Sequence, residues 1–437
     1  MADRRDDEQA NDDRVRAQYD AYPYPERDPA DEARRLIVGS PSHLDEINHY
    51  VFAGRLAAGR FDASRPFRAL IAGGGTGDGA IMLAQQLAWR GWPAEVVHLD
   101  VSRAARDIAE ARAKARGLDI IHFHQGSLLD LGERDLGRFD YIDCCGVLHH
   151  LADPEAGLRA LAAALAEGGG MGLMVYGALG RIGVYHMQAM LRLIAGDDPD
   201  PARLALDRRL HAALPASNWL KRNPYVGDHL SGGDAGLYDL FLHSRDRAYT
   251  VPEVAALAAA AGLAITGFIE PALYDPANLI ADPALLKRLE GLPWLARAAF
   301  AELLGGTLKR HVFYVVSEAR AADAVARADS ARAVPLLREA VGAAMARSLR
   351  GGGRVKAELE GIGLVYDLPP LAVEILALVD GRRDLGAIHR ALPQNKKVDW
   401  FAFKAAFDRL YAALGALNVM LIARPSPPPR RDGPAAP

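Results

Sequence analysis

At 437 residues the chain is long enough for two or three folded units. Half of its residues are hydrophobic and 24% are charged, the balance of a globular protein. The net charge is −3 and no sustained Lys/Arg stripe appears, which argues against a nucleic-acid partner. No stretch is apolar over the length of a bilayer, and the opening MADRRDDEQANDDR lacks the apolar core of a signal peptide. The expectation is a cytoplasmic protein without a membrane partner.

In chain order, residues 1–14 read as a disordered tail. VRAQYDAYPYPERDP follows and completes an N-terminal arm over 1–42. Pro23 and Pro25 stiffen Tyr22 and Tyr24, so this arm is either an extended linker or a lid over a ligand. An apolar run over 67–72 leads into the glycine turn AGGGTGDGA, and a helical pattern covers 81–90. A second apolar run, 95–99, ends in Asp100. Strand, glycine turn, helix and a strand ending in a carboxylate make a nucleotide-binding half-unit. The glycines admit a ligand where a Cβ would clash. The carboxylate can accept from two ribose hydroxyls, at roughly 1.5–3 kcal/mol each. Gly75-x-Gly77-x-x-Ala80 also satisfies a dinucleotide fingerprint, which leaves an NAD-dependent oxidoreductase open at this point.

The continuation separates the two readings. A third strand over 120–124 leads into Gln125-Gly126-Ser127-Leu128-Leu129-Asp130, and a fourth, FDYIDCCGVLHHL, precedes DPEAGLRALAAALAEGGGMGLMVY. This run, with Gly73-Gly74-Gly75-Thr76-Gly77 and Asp100-Val101-Ser102, resembles the class I S-adenosylmethionine-dependent methyltransferases. The resemblance implies a doubly wound, mostly parallel seven-stranded α/β sheet with strand 7 antiparallel. S-adenosylmethionine would be bound by Gly73, Gly74, Gly75, Thr76, Gly77, Asp100, Val101, Ser127, Leu128 and Gly146. Ser127 stands where the family often has an aspartate near the adenine. Ile71 stands where many members carry an acid for the cofactor's amino group.

The methyltransferase domain is expected over 43–318, with a glycine turn at 168–170 before strand 5 and a polar-aromatic cap insertion at about 177–248. Strands 6 and 7 are expected at 264–269 and 310–317, separated by a helical excursion. A linker over 319–333 then precedes a mainly helical, winged-helix-like module over 334–424 and a Pro-rich tail over 425–437. The arm Tyr19-Asp20-Ala21-Tyr22-Pro23-Tyr24-Pro25 and this module are loosely similar to those of bacterial protein-lysine methyltransferases.

Methyl transfer needs alignment and shielding more than a covalent nucleophile. His149 is the candidate base, and Tyr176 the wall nearest the methyl. Tyr22, Tyr24, His150, Tyr185, Asp239 and His243 are candidates for the acceptor site, the last two sharing a helix face. Adjacent His149 and His150 are expected to point apart, so no metal is expected. Cys144 and Cys145 face opposite ways on a strand and form no disulfide; they are apolar filler or a thiol near the cofactor. The acceptor is a small molecule or a protein amine, a homodimer is left open, and a non-catalytic cofactor-binding regulator or scaffold is the alternative.

Overall fold

The computed structural model describes residues 14–56, 61–62, 64–196, 198–227, 233–349 and 353–425. The tails expected over 1–14 and 425–437 lie outside these except at their inner ends, where Arg14 already belongs to a helix over 14–21. Seven strands form one sheet: β1 (Phe67–Ala72), β2 (Ala94–Asp100), β3 (Ile121–Gln125), β4 (Phe139–Cys145), β5 (Leu165–Tyr176), β6 (Leu263–Phe268) and β7 (Arg310–Ser317). Their order is β3-β2-β1-β4-β5-β7-β6. The first five are parallel, and β7 runs antiparallel to both β5 and β6.

β1 and β4 are buried on both faces and are largely apolar, with Arg68 half-buried near the start of β1 and Asp140 and Asp143 buried within β4. Leu70 and Ile142 pack into the core on one face of the sheet; Ala69, Ile71 and Tyr141 pack on the other. Helices Asp78–Arg90, Arg103–Arg116 and Pro154–Ala163 complete the crossovers. Ser102 and Asp153 cap two of them through their side chains. The order reverses between β1 and β4, which opens a crevice at the carboxyl ends of the strands.

β5 departs from expectation. Gly168, Gly169 and Gly170 lie inside it, not in a turn ahead of it. A Cβ on Gly170 would stand 2.8 Å from the Val315 carbonyl, and one on Gly172 would strike the Tyr141 hydroxyl and Pro41. Small residues here let the segment after the arm lie against the sheet.

The cap holds helices Val184–Ala195, Asp200–Ala213, Trp219–Arg222 and Gly233–Leu237, the last continuing into a wide turn at Tyr238–Leu242. Its ends meet: Gly177 bridges Tyr249, and the Tyr249 N–H donates to the Tyr176 carbonyl at 2.8 Å. The insertion is thus clamped to the end of β5.

The C-terminal module has the expected helices Ala372–Leu378, Leu385–Ala391 and Trp400–Ala416 around its own core. It also has β8 (Val334–Leu337), which pairs antiparallel with β11 (Met420–Ala423), and a hairpin of β9 (Arg354–Leu359) and β10 (Ile362–Asp367). The module docks on helix Leu44–Tyr50, where buried Glu46 receives Arg338 and Asn418.

Candidate functional site

The glycine turn begins where β1 ends. Gly73, at φ 73°, has no room for a side chain, because a Cβ would strike Val147. Gly74 lies on the His98 ring, whose Nε2 donates to the Gly75 carbonyl at 3.0 Å. Asp100 closes the turn from the end of β2. Its Oδ2 accepts the Gly75 N–H at 2.7 Å and its Oδ1 accepts the Ser102 N–H at 2.8 Å. Burial pushes the Asp100 carboxyl up, against the pull of those two amides. The carboxylate still faces the crevice.

A cavity of about 710 Å³ fills that crevice. Its cofactor side is lined by Gly73, Gly74, Gly75, Asp100, Val101, Gly126, Ser127, Leu128, Gly146 and Val147. Thr76 and Gly77, expected in contact with the cofactor, are not on this wall. Thr76 is fully buried and donates to the Pro25 carbonyl at 2.8 Å, while Gly77 is the N-cap of helix Asp78–Arg90. Ser127 is on the wall, with its hydroxyl capping the turn at Leu129. Cys145 is exposed to the cavity and Cys144 is buried; both thiols are free, and burial pushes Cys144 up, so it stays protonated.

The N-terminal arm covers this pocket as a lid. Asp20 accepts from Ser102 at 2.8 Å, Arg27 pairs with Asp78 at 2.7 Å, and Glu32 pairs with Arg112 at 2.6 Å. Tyr24 lines the cavity. Tyr22 does not: it stacks on Tyr238 with ring centroids 5.1 Å apart and belongs to the cap's core. Tyr19, from the same arm motif, takes the place expected of it.

The opposite wall is built from His150, Tyr176, Asp239 and Tyr19. The Tyr176 hydroxyl donates to Asp239 Oδ2 at 2.9 Å and the Tyr19 hydroxyl to Oδ1 at 3.1 Å. Burial, then Asp239, pushes both phenols up, so both remain donors at neutral pH. Arg181 lies 3.6 Å over the Tyr176 ring and is neutralised by Asp246 at 2.9 Å. Tyr185 joins that ion pair instead of reaching the cavity.

The histidines are arranged otherwise than their adjacency suggests. His149 and His150 share the short turn Leu148–His150, with ring centroids 4.2 Å apart, and do not diverge. His149 is fully buried against Tyr176, neither ring nitrogen has a partner, and burial holds its pKa well below the usual value. It is His150 that reaches the cavity. Its Nδ1 donates to the Arg245 carbonyl at 2.7 Å, which leaves the Nε2 lone pair free to act. His243 stacks on His150 at 3.8 Å, behind the wall. Its Nδ1 accepts the Arg245 N–H at 3.0 Å, so its proton sits on Nε2, 3.3 Å from the Tyr19 oxygen. His150, Asp239 and His243 place ligand atoms within 4.8 Å of one another. The backbone amide on His243 fixes the tautomer that donates, and the chain of contacts runs from His243 through the Tyr19 hydroxyl to Asp239.

Such a sheet, with a bare glycine turn after β1 and a carboxylate after β2, defines an adenosine-binding α/β enzyme. Residues 70–171 match the family described as "Methyltransferase domain". An uncharacterised protein of Synechococcus sp. is 32% identical over 306 residues, which is 69% of this chain and 70% of the relative. A ubiquinone biosynthesis O-methyltransferase of Alkalilimnicola ehrlichii is 33% identical over 93 residues, 21% of this chain and 36% of the relative. Among solved structures, PKMT2 from Rickettsia typhi has the same fold, with TM-score 0.61 at 12% identity over 88% of this chain and 76% of that one. The chain belongs to the class I S-adenosylmethionine-dependent methyltransferases. That sets aside the oxidoreductase alternative. The residues present fit the cofactor: an uncluttered main-chain turn for its amino-acid end, Asp100 for the ribose, and Leu128 beside Ser127 for the adenine.

Proposed function

We propose that the acceptor is an amine, foremost the side chain of a lysine in a protein. The observation that carries this is Asp239. Its carboxylate is buried at the acceptor wall between two tyrosine hydroxyls, and among the described residues no cationic side chain pairs with it. An anionic, aromatic wall of this kind attracts an ammonium and offers little to a carboxylate or phosphate. The looser similarity of the arm and module to bacterial protein-lysine methyltransferases supports the same reading.

Bound S-adenosylmethionine supplies an electrophilic methyl on a sulfonium. The chain's own residues do the rest. Asp239, Tyr19 and Tyr176 hold the amine, and Tyr24 with the arm excludes water. His150 Nε2 takes the proton the amine must lose before it attacks. In this reading the cytoplasm is the site of action and nucleic acid is not the acceptor.

The test is a lysate labelled with tritiated cofactor and then fractionated. Label on protein, located by mass spectrometry on a lysine Nζ, is expected. Label confined to RNA or to small molecules overturns the proposal.

A further inference from the structure

Four carboxylates stand on the cofactor side of the cavity: Asp78, Asp100, Asp143 and, beside Ser127 and Leu128, Asp130, which lies 3.9 Å from Arg134. Asp78 is neutralised by Arg27 and Arg112, each at 2.7 Å. Asp100 braces the glycine turn. Asp143, on β4, is 2% exposed and accepts from the Ser42 hydroxyl and the Cys145 N–H. Among the described residues no cationic side chain pairs with it. Burial raises its carboxyl to about 7, the condition of an acid that lacks a cation.

Its position gives it a task. In the β1–β4 ladder Asp143 is the direct partner of Ile71, the residue two places before Gly73. One strand spacing, about 4.8 Å, separates the two backbones. The path to the glycine turn is also clear. A Cβ on Gly79 would lie 2.8 Å from Ser42 Oγ and 3.5 Å from Asp143 Oδ2, so glycine keeps that corner open. Ser42 is held in place because the preceding Pro41 carbonyl accepts from Tyr141 at 2.7 Å and Tyr314 at 2.9 Å.

We propose that Asp143, steered by Ser42, binds the α-ammonium at the methionine end of the cofactor. The acid absent at position 71 has crossed to the neighbouring strand. This assignment concerns the cofactor alone and stands whatever the acceptor is.

Calorimetry on the wild type and Asp143→Asn, with S-adenosylhomocysteine and with its analogue lacking the α-amino group, tests it. The variant is expected to bind S-adenosylhomocysteine at least about tenfold more weakly and the analogue within about twofold of wild type. Equal losses for both ligands, or no loss for either, overturn the proposal. Should Asp143→Asn fail to fold, a crystal structure of the wild type with S-adenosylhomocysteine decides. An ammonium nitrogen within about 3.2 Å of the Asp143 carboxylate supports the assignment, and one bonded elsewhere refutes it.

Discussion

Asp100 has two duties that a single substitution separates. Its two backbone hydrogen bonds shape the glycine turn, and its remaining lone pairs are the ones proposed to accept from the ribose hydroxyls. Asp100→Ala is expected to weaken S-adenosylhomocysteine binding at least about tenfold, and Asp100→Asn less, because the amide oxygen can still accept one of the N–H groups. Unchanged affinity in Asp100→Ala, read by calorimetry, would place the ribose elsewhere. Asp239 is the corresponding residue on the acceptor wall. Asp239→Asn keeps the shape and removes the charge, so KM for an amine acceptor should rise about tenfold while affinity for S-adenosylhomocysteine stays within about twofold. A rise in both would mean that Asp239 supports the whole cavity and not the acceptor.

The arm is the element that turns an open crevice into a closed one. It is anchored beside the glycine turn by Asp20, Pro25, Arg27 and Glu32, so cofactor release is expected to require that it lift. Arg27 and Asp78 are each 28% exposed, a geometry in which an ion pair contributes about 1 kcal/mol. Arg27→Ala is therefore expected to speed S-adenosylhomocysteine release about fivefold in stopped-flow displacement. The gap from wild type should narrow in 0.5 M salt, where the pair is screened to about 4 Å. A gap indifferent to salt would assign Arg27 a packing role. The sheet and the glycine turn were legible in the sequence because local signals specify them: apolar runs, turn glycines and a strand-end acid. The walls were not. His150 is chosen over His149 by the turn at Leu148–His150, and Tyr19 over Tyr22 by where the arm meets the cap. Asp143 matters only because a strand distant in sequence lies beside Ile71. The β9–β10 hairpin was not legible although β9 alternates, exposed Arg354, Lys356 and Glu358 against half-buried Val355, Ala357 and Leu359, because six residues between stretches of helical pattern are absorbed into a mainly helical module.

Across the whole molecule, the catalytic fold and the C-terminal module share one polar seam, and His49 makes that seam sensitive to pH. Its Nδ1 lies 3.0 Å from the Ile422 nitrogen and 3.1 Å from the Ile422 carbonyl oxygen of β11, and burial lowers its pKa to about 4. An unfolded histidine titrates near 6.5. Below that value the unfolded chain takes up a proton that the folded chain refuses. The His49 contribution is thus complete above about pH 6.5 and is lost as pH falls toward 4, in total about 3 kcal/mol. Asp143 and Asp207, both raised to about 7 by burial, act in the opposite direction: the unfolded chain ionises them from about pH 4 upward while the fold resists until about 7. Wild-type stability therefore combines opposing slopes in one window, and its pH profile alone is uninformative. The difference between wild type and His49→Gln isolates the histidine. Urea unfolding of the two proteins should show the wild-type advantage growing by about 3 kcal/mol from pH 4 to pH 7. An advantage that is constant across that range would mean that His49 titrates in the folded protein as it does in the unfolded chain, and that the seam is held by the Glu46–Arg338 pair without it.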